Sequence, residues 1–174
     1  YSLDTDHFIG PADAPVTVVE FFAYRCGYCK RSMPFVQELP EKYDNKVRVV
    51  FKEYPIFGGI SETAALAALA AGKQDKYYDM HVALMNLKSN DELTEKKIDE
   101  LAKEVGVDVD KDMVLTGPDG EKTIADLKAQ AEAYKNHLQR WIRTRGVEVT
   151  TLGSDVANFA NPQDAIITLI AGSK

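Results

Sequence analysis

Residues 16–24, V-T-V-V-E-F-F-A-Y, form an apolar run interrupted by one charge, Glu20. Its β-branched and aromatic side chains occupy both faces, which predicts a central strand covered on two sides. From Gly27 to Tyr43 the period lengthens. Met33, Val36, Leu39 and Tyr43 recur at helical spacing, and Pro34 within the pattern predicts a kink. Residues 47–54 are β-branched again and stop at Pro55, ahead of a Gly58-Gly59 loop. Strand, helix and strand joined by a crossover predict a βαβ unit with a parallel pair.

The middle of the chain predicts helices. One starts at Ser61 and stops at Gly72. A second, over 76–87, carries Tyr77, Met80, Leu84 and Leu87 on one face. A third starts at Thr94 and stops at Gly106, with Lys97 where a full capping box requires Glu or Gln. After Pro118-Asp119-Gly120, a long pattern over 122–143 repeats Ile124, Leu127, Ala131, Tyr134, Leu138 and Trp141, with Gly146 as its stop. Strand character returns over 147–152 and 156–160, around a turn at 153–155. Asn161 as N-cap and Pro162 in the first turn predict a final helix with Ala165, Ile166, Leu169 and Ile170 on its apolar face. Residues 1–15, with Gly10, Pro11 and Pro15, read as an irregular lead-in. No repeat or linker divides the chain. The expectation is one α/β domain over 1–174, in the order β-α-β, helical block, β-β-α.

Composition narrows the function. The 174 residues are 45% hydrophobic and 28% charged, with 11 glycines and 7 prolines, an ordinary globular balance. No stretch approaches the roughly 20 apolar residues of a membrane span. A net charge of -6 argues against nucleic acid as a partner. No signal peptide is visible, and a start at Tyr1 rather than Met fits a mature or trimmed chain.

The two cysteines, Cys26 and Cys29, form a lone C-x-x-C. A disulfide scaffold needs more cysteines, spread along the chain. Structural zinc needs two further ligands, and His7, His81 and His137 are scattered. Attached haem needs His where Lys30 stands. Redox chemistry without a metal or cofactor is the expectation that remains, against an inert closed disulfide. A strand running straight into a helix places Cys26 at the helix N-terminus, where unpaired N–H groups favour a thiolate. Arg25, Lys30 and Arg31 add positive charge. Cys29, one turn on and less exposed, can resolve a mixed disulfide formed at Cys26. Glu20 is costly in an apolar strand unless it has a function or a partner. It either relays a proton to Cys29 or faces the surface or a lysine. His7 and His137 read as solvated, and Tyr77, Tyr78, Met80 and His81 as core and rim.

The segment V-V-E-F-F-A-Y-R-C-G-Y-C-K-R-S over 18–32 resembles the active-site segment of DsbA-like thiol–disulfide oxidoreductases in the thioredoxin superfamily. Their Com1-like branch shows E-F-F-D-Y-x-C-x-Y-C-K. The likeness continues through residues 46–55, 61–74 and 77–87 and weakens after about residue 106. It implies a thioredoxin fold with a helical insertion, about 61–145, between the second and third core strands. It also implies Cys26 as nucleophile, Cys29 as resolving thiol and Glu20 as buried acid. Tyr28 and Phe57, read from the residues alone, either border the cysteines as part of a substrate groove or simply pack at the surface. The family places Thr-Pro with a cis bond opposite the C-x-x-C. Here Thr150 and Thr151 take that place, and no proline occurs between Pro118 and Pro162. A non-proline cis bond costs about 2.5–4 kcal/mol, so a trans or rearranged loop is expected. The resemblance implies an oxidase of the periplasm or bacterial envelope, monomeric because no dimerisation domain is visible. Its partners would be unfolded or partly folded exported proteins and a protein that resets its redox state. The alternatives are a thioredoxin-fold protein that binds peptide or metal with impaired turnover, and a cytosolic reductase.

Overall fold

The computed structural model describes residues 6–109, 117–145 and 167–172. Among them run β1 (His7–Ile9), β2 (Val16–Phe22), α1 (Gly27–Lys42), β3 (Val47–Glu53), α2 (Ile60–Gly72), α3 (Tyr77–Met85), α4 (Glu95–Glu104), α5 (Gly117–Arg145) and β4 (Ile167–Gly172). A single 3-10 turn, Asn90–Glu92, lies between α3 and α4.

The strands lie in the order β1-β3-β2-β4. β2 and β3 are parallel, with Glu20 opposite Phe51 and Phe22 opposite Glu53, and α1 is their crossover. β4 runs antiparallel to β2 on its other side, and β1 antiparallel to the outer edge of β3. A parallel pair built on a crossover helix, flanked by an antiparallel strand, is the thioredoxin-type α/β arrangement expected from the chain.

The sheet is covered on both faces, as the apolar run of β2 predicted. Val18, Phe22, Val49 and Phe51 face a core shared with Met33 and Val36 of α1, the alanines of α2, and Met80 and Leu84 of α3. Val19, Phe21 and Val50 meet Ala131 of α5. Small side chains let α2 approach closely, and Ala64, Ala67, Ala68 and Ala71 are fully buried.

Several local expectations fail. The final helix from Asn161 is contradicted over Ile167–Gly172, which forms β4. Ile167, Thr168 and Ile170 favour a pleated strand, and a short apolar run fits either period until a ladder with β2 decides it. The lead-in contains β1, three residues too short to show a period. α5 begins at Gly117 rather than Lys122, because Pro118 and Asp119 suit a first turn instead of a loop. His7 is not solvated. Its ring stacks on Tyr77 at 3.8 Å. α1 runs on through Pro34 and Pro40. Thr94 does cap α4, its hydroxyl accepting from the Lys97 N–H at 3.2 Å. The strands expected over 147–152 and 156–160, Gly146 and the start of the final helix lie outside the described residues.

One buried polar cluster fastens α3 to the sheet. The hydroxyls of Tyr24 and Tyr77 both donate to Glu53 Oε1, at 2.8 and 3.0 Å, and Tyr24 also meets His81 Nδ1 at 3.2 Å. With the Tyr24 proton committed to Glu53, His81 serves as the donor to the Tyr24 oxygen. Glu53 Oε2 and His81 Nε2 have no hydrogen-bond partner. Burial therefore pushes Glu53 up to about 8, against the pull of the two hydroxyls, and His81 down to about 3.

Folded Glu53 holds its proton up to about 8 and the unfolded chain only to about 4.5. Its stabilisation is complete below the lower value and lost as pH rises through the higher one. Urea denaturation is expected to show the protein losing a few kcal/mol of stability as pH rises across this window. Glu53→Gln, permanently neutral, should reduce that slope, and an unchanged slope would exclude Glu53 as its source.

Candidate active site

β2 ends at Phe22 and the chain turns through Ala23, Tyr24 and Arg25 into α1. The Cys26 N–H bonds back to Ala23 O at 2.9 Å, which tightens the turn. Cys26 is the N-cap of α1, extended at φ -81 and ψ 109, and its Sγ accepts from the Cys29 N–H at 3.3 Å. The sulfur thus occupies the place of a capping oxygen, where orphan N–H groups and the helix dipole favour negative charge. No acidic residue stands in the first turn to oppose it. Both cysteines are buried, Cys29 at 2% exposure more deeply than Cys26 at 7%. Its hydrogen bond to Cys26, burial and the charge on Cys26 all push the Cys29 thiol far above the usual range. Two sulfurs in one turn are therefore unlike: one is placed to carry charge, the other to keep its proton.

Glu20 lies under this turn, 1% exposed. It does not face the surface, and among the described residues it forms no ion pair with a lysine. Its described contact is Ser32, whose hydroxyl is 3.5 Å from Oε1 and donates at 3.0 Å to Cys29 O. Oε2 has no partner. Burial pushes Glu20 up to about 7, Ser32 pulls it down, and Cys26 adds a further push. Glu20 in turn raises the Cys29 thiol. A carboxyl that gains and loses its proton near neutrality thus sits within electrostatic reach of both sulfurs.

A family model described as "Thioredoxin" matches residues 2–154. The chain belongs to the thioredoxin family. Within that family it resembles DsbA-like oxidoreductases. A thioredoxin-like oxidoreductase from Silicibacter pomeroyi DSS-3 is 40% identical and superposes with a TM-score of 0.65, covering 74% of this chain and 73% of that one. The thiol-disulfide exchange protein alpha-DsbA2 from Wolbachia pipientis is 27% identical with a TM-score of 0.59, covering 97% and 77%. Among curated relatives, the Na(+)/H(+) antiporter NhaA 3 of Salinispora tropica is 37% identical over 110 residues. That match takes in 62% of this chain but 16% of the antiporter, so the chain spans about a sixth of that relative.

Other expected features of this thioredoxin-family site are placed differently. Lys30 and Arg31 do not simply add charge around Cys26. The Arg31 guanidinium lies over the Tyr28 ring at 4.3 Å, and the Lys30 ammonium reaches away to α3. Tyr28 is 47% exposed beside the cysteines. Phe57 is exposed in the loop after β3. Because β2 and β3 are parallel, both loops emerge at the same end of the sheet. Thr150 and Thr151 lie outside the described residues. Ser32 was missed, since a serine one turn beyond Cys29 carries no signal until Glu20 is seen beneath it. Asn90, whose amide donates to Arg25 O at 3.0 Å, is 65 residues away in sequence and has none at all.

Glu20 yields a pH prediction. The pH profile of alkylation at Cys26, whose charge and that of Glu20 act on each other, is expected to show an inflection near 7, where Glu20 titrates. Glu20→Gln should abolish it, and an inflection that persists in the variant would assign it to another group.

Proposed function

We propose that this DsbA-like member of the thioredoxin family exchanges a Cys26–Cys29 disulfide with protein thiols, acting as an oxidase. The observation that carries the proposal is the Cys26 sulfur at the N-cap of α1, accepting from the Cys29 N–H above a buried acid that titrates near neutrality. In the oxidising direction a substrate thiolate attacks Cys26 Sγ. The Cys26–Cys29 bond breaks, and its electron pair goes to Cys29 Sγ. Cys29 then takes a proton, for which protonated Glu20 is the adjacent source. A second substrate thiolate attacks the substrate sulfur of the mixed disulfide and expels Cys26 as thiolate. The helix N-terminus stabilises that leaving group. The substrate gains one disulfide, and the chain gains two electrons that a redox partner must remove.

Cys26, Cys29 and Glu20 are the residues assigned to catalysis. Tyr28 with Phe57 would receive the substrate chain beside the sulfurs, and Thr150 and Thr151 would complete the groove in the family's cis-proline position. The reading takes the whole chain as one domain, with about 61–145 as its helical insertion. Its clients would be unfolded or partly folded exported proteins, met by a monomer in the periplasm or bacterial envelope. The Wolbachia neighbour, a thiol-disulfide exchange protein, supports the exchange reaction itself.

The test is a pair of single variants incubated with a reduced, unfolded client. Cys26→Ala is expected to abolish exchange, and Cys29→Ala to accumulate a mixed disulfide at Cys26, visible by non-reducing electrophoresis and mass spectrometry. Turnover retained by Cys26→Ala would overturn the mechanism.

A further inference from the structure

The peptide that joins Arg25 to Cys26 is held at both ends. Its N–H, that of Cys26, donates to Ala23 O at 2.9 Å. Its carbonyl, that of Arg25, accepts from the Asn90 side-chain amide at 3.0 Å. The first bond belongs to the turn itself. The second comes from the 3-10 turn Asn90–Glu92, far along the chain between α3 and α4. Asn90 can serve as a fixed point because its own segment is fastened. Leu87 and Leu93, which bracket it, are buried in the main core. The Leu93 N–H donates to Asn90 O at 3.3 Å, and the Lys88 N–H to Glu92 Oε2 at 3.4 Å. The Lys30 ammonium of α1 bonds the carbonyls of Leu84 and Leu87, at 3.2 and 3.1 Å. The segment that carries Asn90 is therefore pinned to the helix that Cys26 caps.

The orientation of that peptide decides where the Cys26 sulfur lies. Rotating its plane changes φ of Cys26, and φ places Cβ and Sγ relative to the first turn of α1. At φ -81 and ψ 109, Sγ accepts from the Cys29 N–H at 3.3 Å, while Cys26 O accepts from the Lys30 N–H at 3.1 Å. A plane free to rotate would let Sγ leave the helix N-terminus, where a thiolate is stabilised. We propose that Asn90 is a positioning residue for thiol–disulfide exchange: by holding the Arg25 carbonyl, it keeps the Cys26 sulfur in its capping place on α1. The inference rests on the exchange reaction proposed above. It goes beyond that proposal in giving the connection between α3 and α4 control over the reactivity of the nucleophile.

Two substitutions remove the donor. Asn90→Ala leaves no side-chain amide, and Asn90→Asp keeps the shape but offers only acceptors. Asn90 is exposed, so both variants should fold, which thermal denaturation checks. The readout is the pH dependence of the Cys26 thiolate in the reduced protein, followed by its ultraviolet absorbance. In Asn90→Ala the midpoint should move up, and the thiolate fraction below it should fall about two- to tenfold, the scale of one solvent-accessible hydrogen bond. Asn90→Asp should shift at least as far, because its charge also opposes a thiolate. A wild-type midpoint in both variants would overturn the proposal. A shift in Asn90→Asp alone would overturn it too, since only the added charge would then be at work. Loss of fold in both variants would do the same, by assigning Asn90 to stability. Failure of the wild-type disulfide to react with reduced glutathione is a separate result. It would bring down the underlying oxidoreductase reading, and the positioning role with it.

Discussion

The hydrogen bond from the Cys29 N–H to Cys26 Sγ is the contact on which the rest of the site depends. It exists because β2 delivers the chain into α1 through a three-residue turn, so that a cysteine takes the place of the usual capping oxygen. One backbone geometry makes two identical side chains chemically different. The first sulfur receives the orphan N–H groups of the helix, and the second turns inward onto the sheet. The sheet holds that geometry in place. β2 is bonded to a strand on each side and buried on both faces, so the turn leaves a rigid platform.

The same face of the sheet carries two buried carboxyls, Glu20 and Glu53, separated by Phe22 and Phe51. Glu20 meets one hydroxyl at 3.5 Å, and its balance responds to Cys26. Glu53 accepts from two tyrosines and anchors α3 through them. Tyr24 joins that anchor to the active-site turn, since it stands two residues before Cys26. Lys30 and Asn90 make the complementary connection from the cysteines outward to the end of α3. The helices between β3 and β4 are thus bonded to the turn from beneath and from both flanks. Substitutions there should be felt at the sulfurs as well as in the core.

The sequence carried the centre of the molecule plainly, because the centre is built from strong local signals. The β2 run, the helical spacing through α1 and the β-branched β3 led to a parallel βαβ unit, and the C-x-x-C at its first junction led to the chemistry. Signals failed where local pattern was weak or tertiary context decided. β1 has three residues, and β4 has an apolar run that fits either period until β2 offers it a ladder. Glu20 could be singled out as a misplaced charge, whereas its environment could not, since Ser32 and Phe51 reach it only through packing and register. Lys30 looked like added charge near Cys26. Its actual partners are carbonyls 54 and 57 residues away. His7 looked solvated because nothing local foretells a stack on Tyr77.

The central claim is the asymmetry of the two sulfurs. It is tested most directly by alkylating the reduced protein with iodoacetamide across a range of pH and locating the adduct by mass spectrometry. The account predicts modification at Cys26 first, with Cys29 protected until the chain is unfolded. Equal modification of both cysteines, or Cys29 reacting first, would contradict it.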